Sequence, residues 1–505
     1  MKDKLAGKIN SNCSQTGFAT LELLIALVLM IAALVAVNLL VFGNQSAGID
    51  NQTNNEAQVL GQSQLEAAKA QANNNFDLLT NTPNVVSGIY TASTTVTDLS
   101  PCSKNVLANV VWQVDRNRFE QVHLNTDFGD PAAVVDNGGA CNTPADPGWR
   151  HPVGVSDIGR GGSGDLQTTD IKARNGLLYV SAHANSAGKP DLLIFDVTNV
   201  LTTHTVIDKD TSNTGGGVNA LSIVNTPATL GHTYAYLANS DNTNQLQVAD
   251  VSNPSSINLL PASYRTPAGI SAEATSIYYY KNRIYIGTKQ IGNPLQDEFH
   301  VYDVSAPTNP VWLNDYKVNA NVNDITVHDD GLGHTLAYLA TSGGSEDVIV
   351  LDVTNVSLLH APILAAQKSL TSGHLAKSLY LLGHNLYVGE LHSGDPEIFV
   401  ADVSSAASGS VTVCPTCSFP VSGDVNGVVV SNNFAFLAIS NGFAVLDVTK
   451  PSAISQIVFC PSAACTLSPP SLNHGATSIT FDNNLAFVSE PKLGNEMLLV
   501  LKSGP

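Results

Sequence analysis

Residues 192–200, 246–254, 299–307, 348–356, 398–406 and 443–451 read LLIFDVTNV, LQVADVSNP, FHVYDVSAP, VIVLDVTNV, IFVADVSSA and FAVLDVTKP. Their aspartates fall at 196, 250, 303, 352, 402 and 447, with spacings of 54, 53, 49, 50 and 45 residues. A seventh copy, LLVLKSGP, stands at 498–505 with Lys502 in place of the aspartate. Ahead of each copy lies a second shared run, from GLLYVSA at 176–182 to LAFVSEP at 485–491, preceded in turn by a short run such as DITVHDD or SITFDNN. Short apolar runs between turn signals read as strands, so each repeat holds three or four. Self-similarity at a period of about 40 to 50 residues, with several strands per unit, predicts a β-propeller. Seven copies predict seven blades. The last copy ends after its third strand, so its outer strand is expected within residues 151–158, where it would tie the two ends of the ring together.

The repeat resembles the LVIVD-type propeller repeat over roughly residues 165–505, which implies a fold and says little about activity. In each D-V-[ST] the aspartate reads as a turn residue accepting backbone N–H bonds. Calcium ligation is the rival, but the D-x-D-x-D-G pattern of a calcium loop is absent, and only loops such as Asp329-Asp330-Gly331 offer a weak cation site. The first strand of each blade is expected to line the central channel. Equivalent positions carry Asp170, Ala220, Ser276, Asp324, Ser378, Gly427 and Ser478, a small polar set suited to a hydrated channel or, alternatively, to a cation or small ligand.

At the other end of the chain, residues 17–43 read GFATLELLIALVLMIAALVAVNLLVFG, with Glu22 as their one charged residue. About 20 apolar residues suffice to cross a bilayer as a helix. Lys2, Lys4 and Lys8 precede the run and a strongly acidic chain follows it, which orients the N-terminus toward the cytoplasm and residues 44–505 outward. Cys13 lies upstream of the apolar run, so a lipoprotein anchor does not fit.

The stretch Gly17-Phe18-Ala19-Thr20-Leu21-Glu22 resembles the processing site of type IV prepilins and pseudopilins. The resemblance covers about the first 80 residues. It implies cleavage between Gly17 and Phe18 by a prepilin peptidase, methylation of the new Phe18 amine, and a role for Glu22 in assembly with other pilin subunits. A carboxylate within a bilayer is costly and calls for a partner, here the Phe18 amine of a neighbouring subunit. The organisation expected is a leader (1–17), a transmembrane half-helix (18–43), an exported continuation (44–80), a small pilin-like β region with linker (81–148) and the propeller (149–505). Gly43, Gly48 and the Asn-rich stretch 51–55 predict a break or melted turn near 43–55. TASTTVTDL and VLANVVWQVDRNRFEQVHL predict strands of a small sheet, and residues 125–165 a loop and linker.

Only 13% of residues are charged, and Gly, Asn, Ser and Thr abound, a composition suited to a turn-rich β protein outside the cell. Loss of the leader would move the formal charge from −19 to −21, which disfavours nucleic acid as a partner because binding there depends on neutralising phosphates. Of seven cysteines, six lie beyond the leader, and an even number in an exported chain predicts disulfides. Cys102 and Cys141 bracket one segment, while Cys414 with Cys417 and Cys460 with Cys465 form close pairs. Zinc is the rival for those pairs, disfavoured because they fall in successive repeats. Nucleophile-elbow, zinc-protease and phosphate-loop motifs are missing, and His183 and His392 belong to separate blades. His232, His334 and His384 follow glycines at hairpins, as turn residues do. No catalytic residue, metal or cofactor is expected. The reading is a minor-pilin-like subunit displaying a propeller for adhesion or surface recognition. The alternatives are a secretion pseudopilin and a membrane-tethered propeller enzyme acting on glycans.

Overall fold

The computed structural model describes residues 16–116, 118–138, 141, 144–158, 166–184, 190–203, 207–212, 214, 216–242, 244–264, 271–371, 373, 375–391, 396–461, 475–491 and 498–504. The chain forms two compact units, one of residues 1–67, 81–95 and 107–125, the other of residues 68–80, 96–106 and 126–505.

Helix α1 runs unbroken from Thr16 to Asn74. The expected break near 43–55 does not occur. A helical glycine costs only about 1 kcal/mol relative to alanine, and the continuous backbone ladder outweighs two of them. Local bonds reinforce the stretch, with Thr53 Oγ1 donating to the Asp50 carbonyl at 3.1 Å and Gln52 Nε2 to Glu56 Oε1 at 2.9 Å. From Leu21 to Phe42 the helix exposes its large apolar side chains on every face, which in water is unstable and in lipid is not.

Strands β1 (Thr82–Ser87), β2 (Tyr90–Ser100), β3 (Ser103–Asp115) and β4 (Arg118–Gly129) form a four-stranded sheet in sequence order. In the first unit Ala57 of α1 packs with Tyr90, Ala92, Val110 and Trp112, and the Tyr90 hydroxyl donates to Glu56 Oε2 at 2.9 Å. The segment expected to be loop and linker is more ordered than that. It holds the end of β4, helix α2 (Pro131–Asp136), which Asp130 caps through Ala132 N, a 3-10 turn (Pro147–Arg150) and strand β5 (Val153–Ile158).

In the second unit seven four-stranded antiparallel sheets follow one another as blades at 166–212, 218–264, 274–316, 321–368, 376–419, 425–461 and 478–502. The seventh has only three strands of its own, and β5 pairs with the last of them, Val153 opposite Lys502 and Leu498 opposite Ile158. The ring therefore closes as the repeat count requires. Apolar clusters between neighbouring sheets form the core, such as Leu336, Tyr338 and Val350 of blade 4 with Leu379, Val388 and Phe399 of blade 5.

Two recurring polar devices shape the loops. The repeat aspartates each accept the backbone N–H two residues on, at 2.7–3.0 Å, from Asp196 with Thr198 to Asp447 with Thr449. This is the turn role expected of D-V-[ST]. At the start of third strands, buried carboxylates hold the incoming crossover loops. Asp191 accepts Thr214 N at 2.7 Å, Glu298 accepts Val318 N and Asn319 N at 2.9 Å, Asp347 accepts Leu370 N at 2.7 Å and Glu397 accepts Val421 N at 2.7 Å.

Candidate functional site

The innermost strands share one irregularity. In six blades the register slips by a residue between 168 and 170, 218 and 220, 274 and 276, 322 and 324, 376 and 378, and 425 and 427. A β-bulge re-aims the side chain of its extra residue. The bulged residues are Thr169, Asn219, Thr275, Asn323, Lys377 and Asn426, and with Thr477 of blade 7 they form a ring in the wall of the central channel.

This ring stitches the blades together. Thr169 Oγ1 donates to the Val218 carbonyl at 2.5 Å, Asn219 Nδ2 to Ala274 O at 2.7 Å and Thr275 Oγ1 to Val322 O at 2.5 Å. Asn323 Nδ2 donates to Ala376 O at 2.6 Å and Asn426 Nδ2 to Ala476 O at 2.8 Å, while Thr477 bonds Thr168 at 3.0 Å. Lys377 is the exception and makes no such bond. The carbonyl at the equivalent place, that of Val425, accepts from Ser378 Oγ at 3.1 Å.

The residues singled out from the repeats stand one position on. Asp170, Ala220, Ser276, Asp324, Gly427 and Ser478 contribute to the cavity wall. Ser378 does not, because the bulge turns it into the joint with blade 6, and Ser276 likewise spends its hydroxyl on Val322 O at 3.2 Å. The two acids bridge blades. Asp170 accepts from Ser478 Oγ at 2.9 Å, Lys172 Nζ at 3.0 Å and Leu221 N at 3.2 Å. Asp324 accepts from Ile325 N and Leu379 N, both at 2.8 Å. Burial, only partly offset by these N–H groups and by Lys172, pushes the Asp324 carboxyl up to about 6. The Lys377 ammonium is held below its ordinary range by burial, against the attraction of Asp324 and Asp424.

The cavity these strands enclose has a volume of about 350 Å³. Toward the C-terminal ends of the inner strands its wall includes Pro101, Asn137 and Cys141. Arg174 holds that end, donating to Gly138 O at 2.6 Å, Ile223 O at 2.9 Å and Asn225 O at 3.2 Å, and the Tyr278 hydroxyl donates to Asn137 Oδ1 at 3.3 Å. The Cys102–Cys141 disulfide joins Cys141 to the turn between β2 and β3. Cys414 bonds Cys417, Cys460 is disulfide-bonded, and Cys465 lies outside the described residues.

Of the histidines, His183 Nε2 meets Asn219 Oδ1 at 2.6 Å and His392 lies outside the described residues. His232 pairs with Asp250 at 3.0 Å and His334 with Asp330 at 2.8 Å, each within its own blade. Among the described residues no three metal-ligating side chains converge. Gly17 and Phe18 lie in the first turn of α1 and Glu22 on its exposed surface. The bulge ring, Arg174 and the loop-holding acids were not identified from the repeats. A signal was present, since Thr or Asn precedes the small or acidic residue in every repeat except at Lys377.

Segments 231–266 and 422–460 match the family described as LVIVD repeat. The chain carries LVIVD repeats. The matched segments correspond to the last three strands of blade 2 and the whole of blade 6. A solved structure described as the WD40 beta propeller domain of Doa1 is similar, at 10% identity and a TM-score of 0.46, covering 70% of this chain and 98% of that one. No curated protein matches the chain.

Proposed function

We propose that the protein is a type IV pilin-like subunit, anchored in the inner membrane by α1 before assembly, that displays its β-propeller outside the cell as a binding module for adhesion or surface recognition. The observation that carries this reading is the placement of Glu22. It is the one charged residue between Gly17 and Ile49, four positions and about one helical turn beyond Phe18. A helix that exposes apolar side chains on every face belongs in lipid or among like helices. An acid at its start is tolerated when a cation from a neighbour meets it. The Phe18 amine released by a prepilin peptidase supplies that cation.

The channel, with its ring of polar side chains, is the place such a module offers a small ligand. Mass spectrometry of the mature N-terminus tests the first step. A chain beginning at methylated Phe18, and a Gly17→Val variant that keeps its leader, support the reading. A mature chain that retains Met1, or one cut beyond residue 43, overturns it.

A further inference from the structure

We propose that the bulge ring is a binding site for a small hydroxylated carboxylate, a sugar acid, whose carboxylate sits on Lys377. This rests on the reading of the propeller as a binding module and names the class of ligand its channel takes.

Ring positions otherwise carry Thr or Asn, each bonded to another blade, and these bonds fix the side chains in place. Lys377 breaks the pattern. Its ammonium makes neither hydrogen bond nor ion pair among the described residues, and the carbonyl at the equivalent place, that of Val425, is met by Ser378 alone. The two acids of the wall do not neutralise it by contact. Both oxygens of Asp324 are turned to backbone N–H groups, and Asp170 is engaged by Lys172. An ammonium held in a channel wall with its donors unspent is an anion site, and a carboxylate gains a charge-assisted bond there.

The flanking residues extend the recognition. Asn323 and Asn426, on either side of Lys377 around the ring, use their Nδ2 groups for carbonyls, leaving Oδ1 as acceptors that suit donating hydroxyls. One cation flanked by acceptors matches a carboxylate that carries hydroxyls on its neighbouring carbons. The volume of about 350 Å³ lies within the range of small-molecule pockets.

The test is calorimetric titration of the full-length protein in detergent micelles with galacturonate and glucuronate, against galactose and glucose. Lys377→Asn places at this position one of the two residue types found at the other six, so its melting temperature is expected to match the parent. The acids are expected to bind about 10- to 100-fold more tightly than the neutral sugars, as one charge-assisted bond gives. Lys377→Asn is expected to abolish that preference. Equal affinity for acid and neutral sugar, acid preference that survives in Lys377→Asn, or no binding of any of the four overturns the assignment. These outcomes leave the N-terminal mass unaffected, so failure here is distinguishable from failure of the display reading.

Discussion

Trp149 Nε1 donates to Asn484 Oδ1 at 2.7 Å, joining the segment before the first blade to the last one. The indole is fully buried, edge-on to Phe436 at 4.7 Å and tilted against Phe481 at 5.7 Å. Asp146 completes the clasp, accepting from Ser503 Oγ at 2.9 Å and from Asn484 Nδ2. Truncation of a buried aromatic costs about 3–5 kcal/mol. Trp149→Ala is therefore expected to lower the urea midpoint by that amount of stability. Trp149→Phe, which loses chiefly the hydrogen bond, is expected to cost about 1 kcal/mol.

Strand β5 closes the ring by the same logic. Val155 is buried among Val180, Phe195, Phe487 and Val500. Val155→Asp places an unpaired carboxylate at the joint between blades 7 and 1, for a loss on the order of 3 kcal/mol or more. Limited proteolysis should then release the N-terminal region from the propeller at lower urea concentration than in the parent. Unchanged protease resistance would argue that the seam is held by other contacts.

Asp324 predicts a pH dependence of known sign. Its folded-state carboxyl is raised from 3.8 to about 6, so between those values the native state binds more protons than the unfolded one. Its contribution is fully present below about pH 4 and is lost as pH rises to about 6. Its partial exposure discounts the effect to no more than about 2 kcal/mol. Asp324→Asn should remove this decline, read as the difference between urea-unfolding curves of variant and parent from pH 4 to pH 7. A difference that is flat across that window would contradict the assignment.

The two described disulfides should differ in weight. Cys102 and Cys141 are 39 residues apart and Cys414 and Cys417 only three. Loop-closure entropy gives about 4 kcal/mol for the first and about 1.6 kcal/mol for the second. Paired serine substitutions measured by thermal unfolding should keep that order.

The propeller was legible because its repeats keep phase. Six aspartates at near-constant spacing and a seventh copy with Lys502 in that place gave the blade count, and the incompleteness of the last copy located β5. The bulge ring was not legible, because strict alternation counted from Asp170 assigns Thr169 to the opposite face. One inserted residue in six of the inner strands brings Thr169 and its equivalents into the wall beside Asp170, while Ser378 turns into the joint with blade 6. Arg174 was hidden for another reason. Its partners, the carbonyls of Gly138, Ile223 and Asn225, lie in distant segments and leave no periodic trace. The helix break at 43–55 was overestimated because glycine and asparagine propensities are local and small beside an uninterrupted hydrogen-bond ladder.

Location of the propeller tests the display reading most directly. Immunogold labelling of intact cells and sheared filaments, in the parent and in Glu22→Ala, places the propeller relative to the cell surface. Gold at filament tips, lost when Glu22 is replaced, is the predicted result, because a head of this size is hard to pack at every subunit of a shaft. Gold absent from the surface, with the protein retained in the envelope of both strains, would contradict it and favour a secretion pseudopilin or a tethered enzyme.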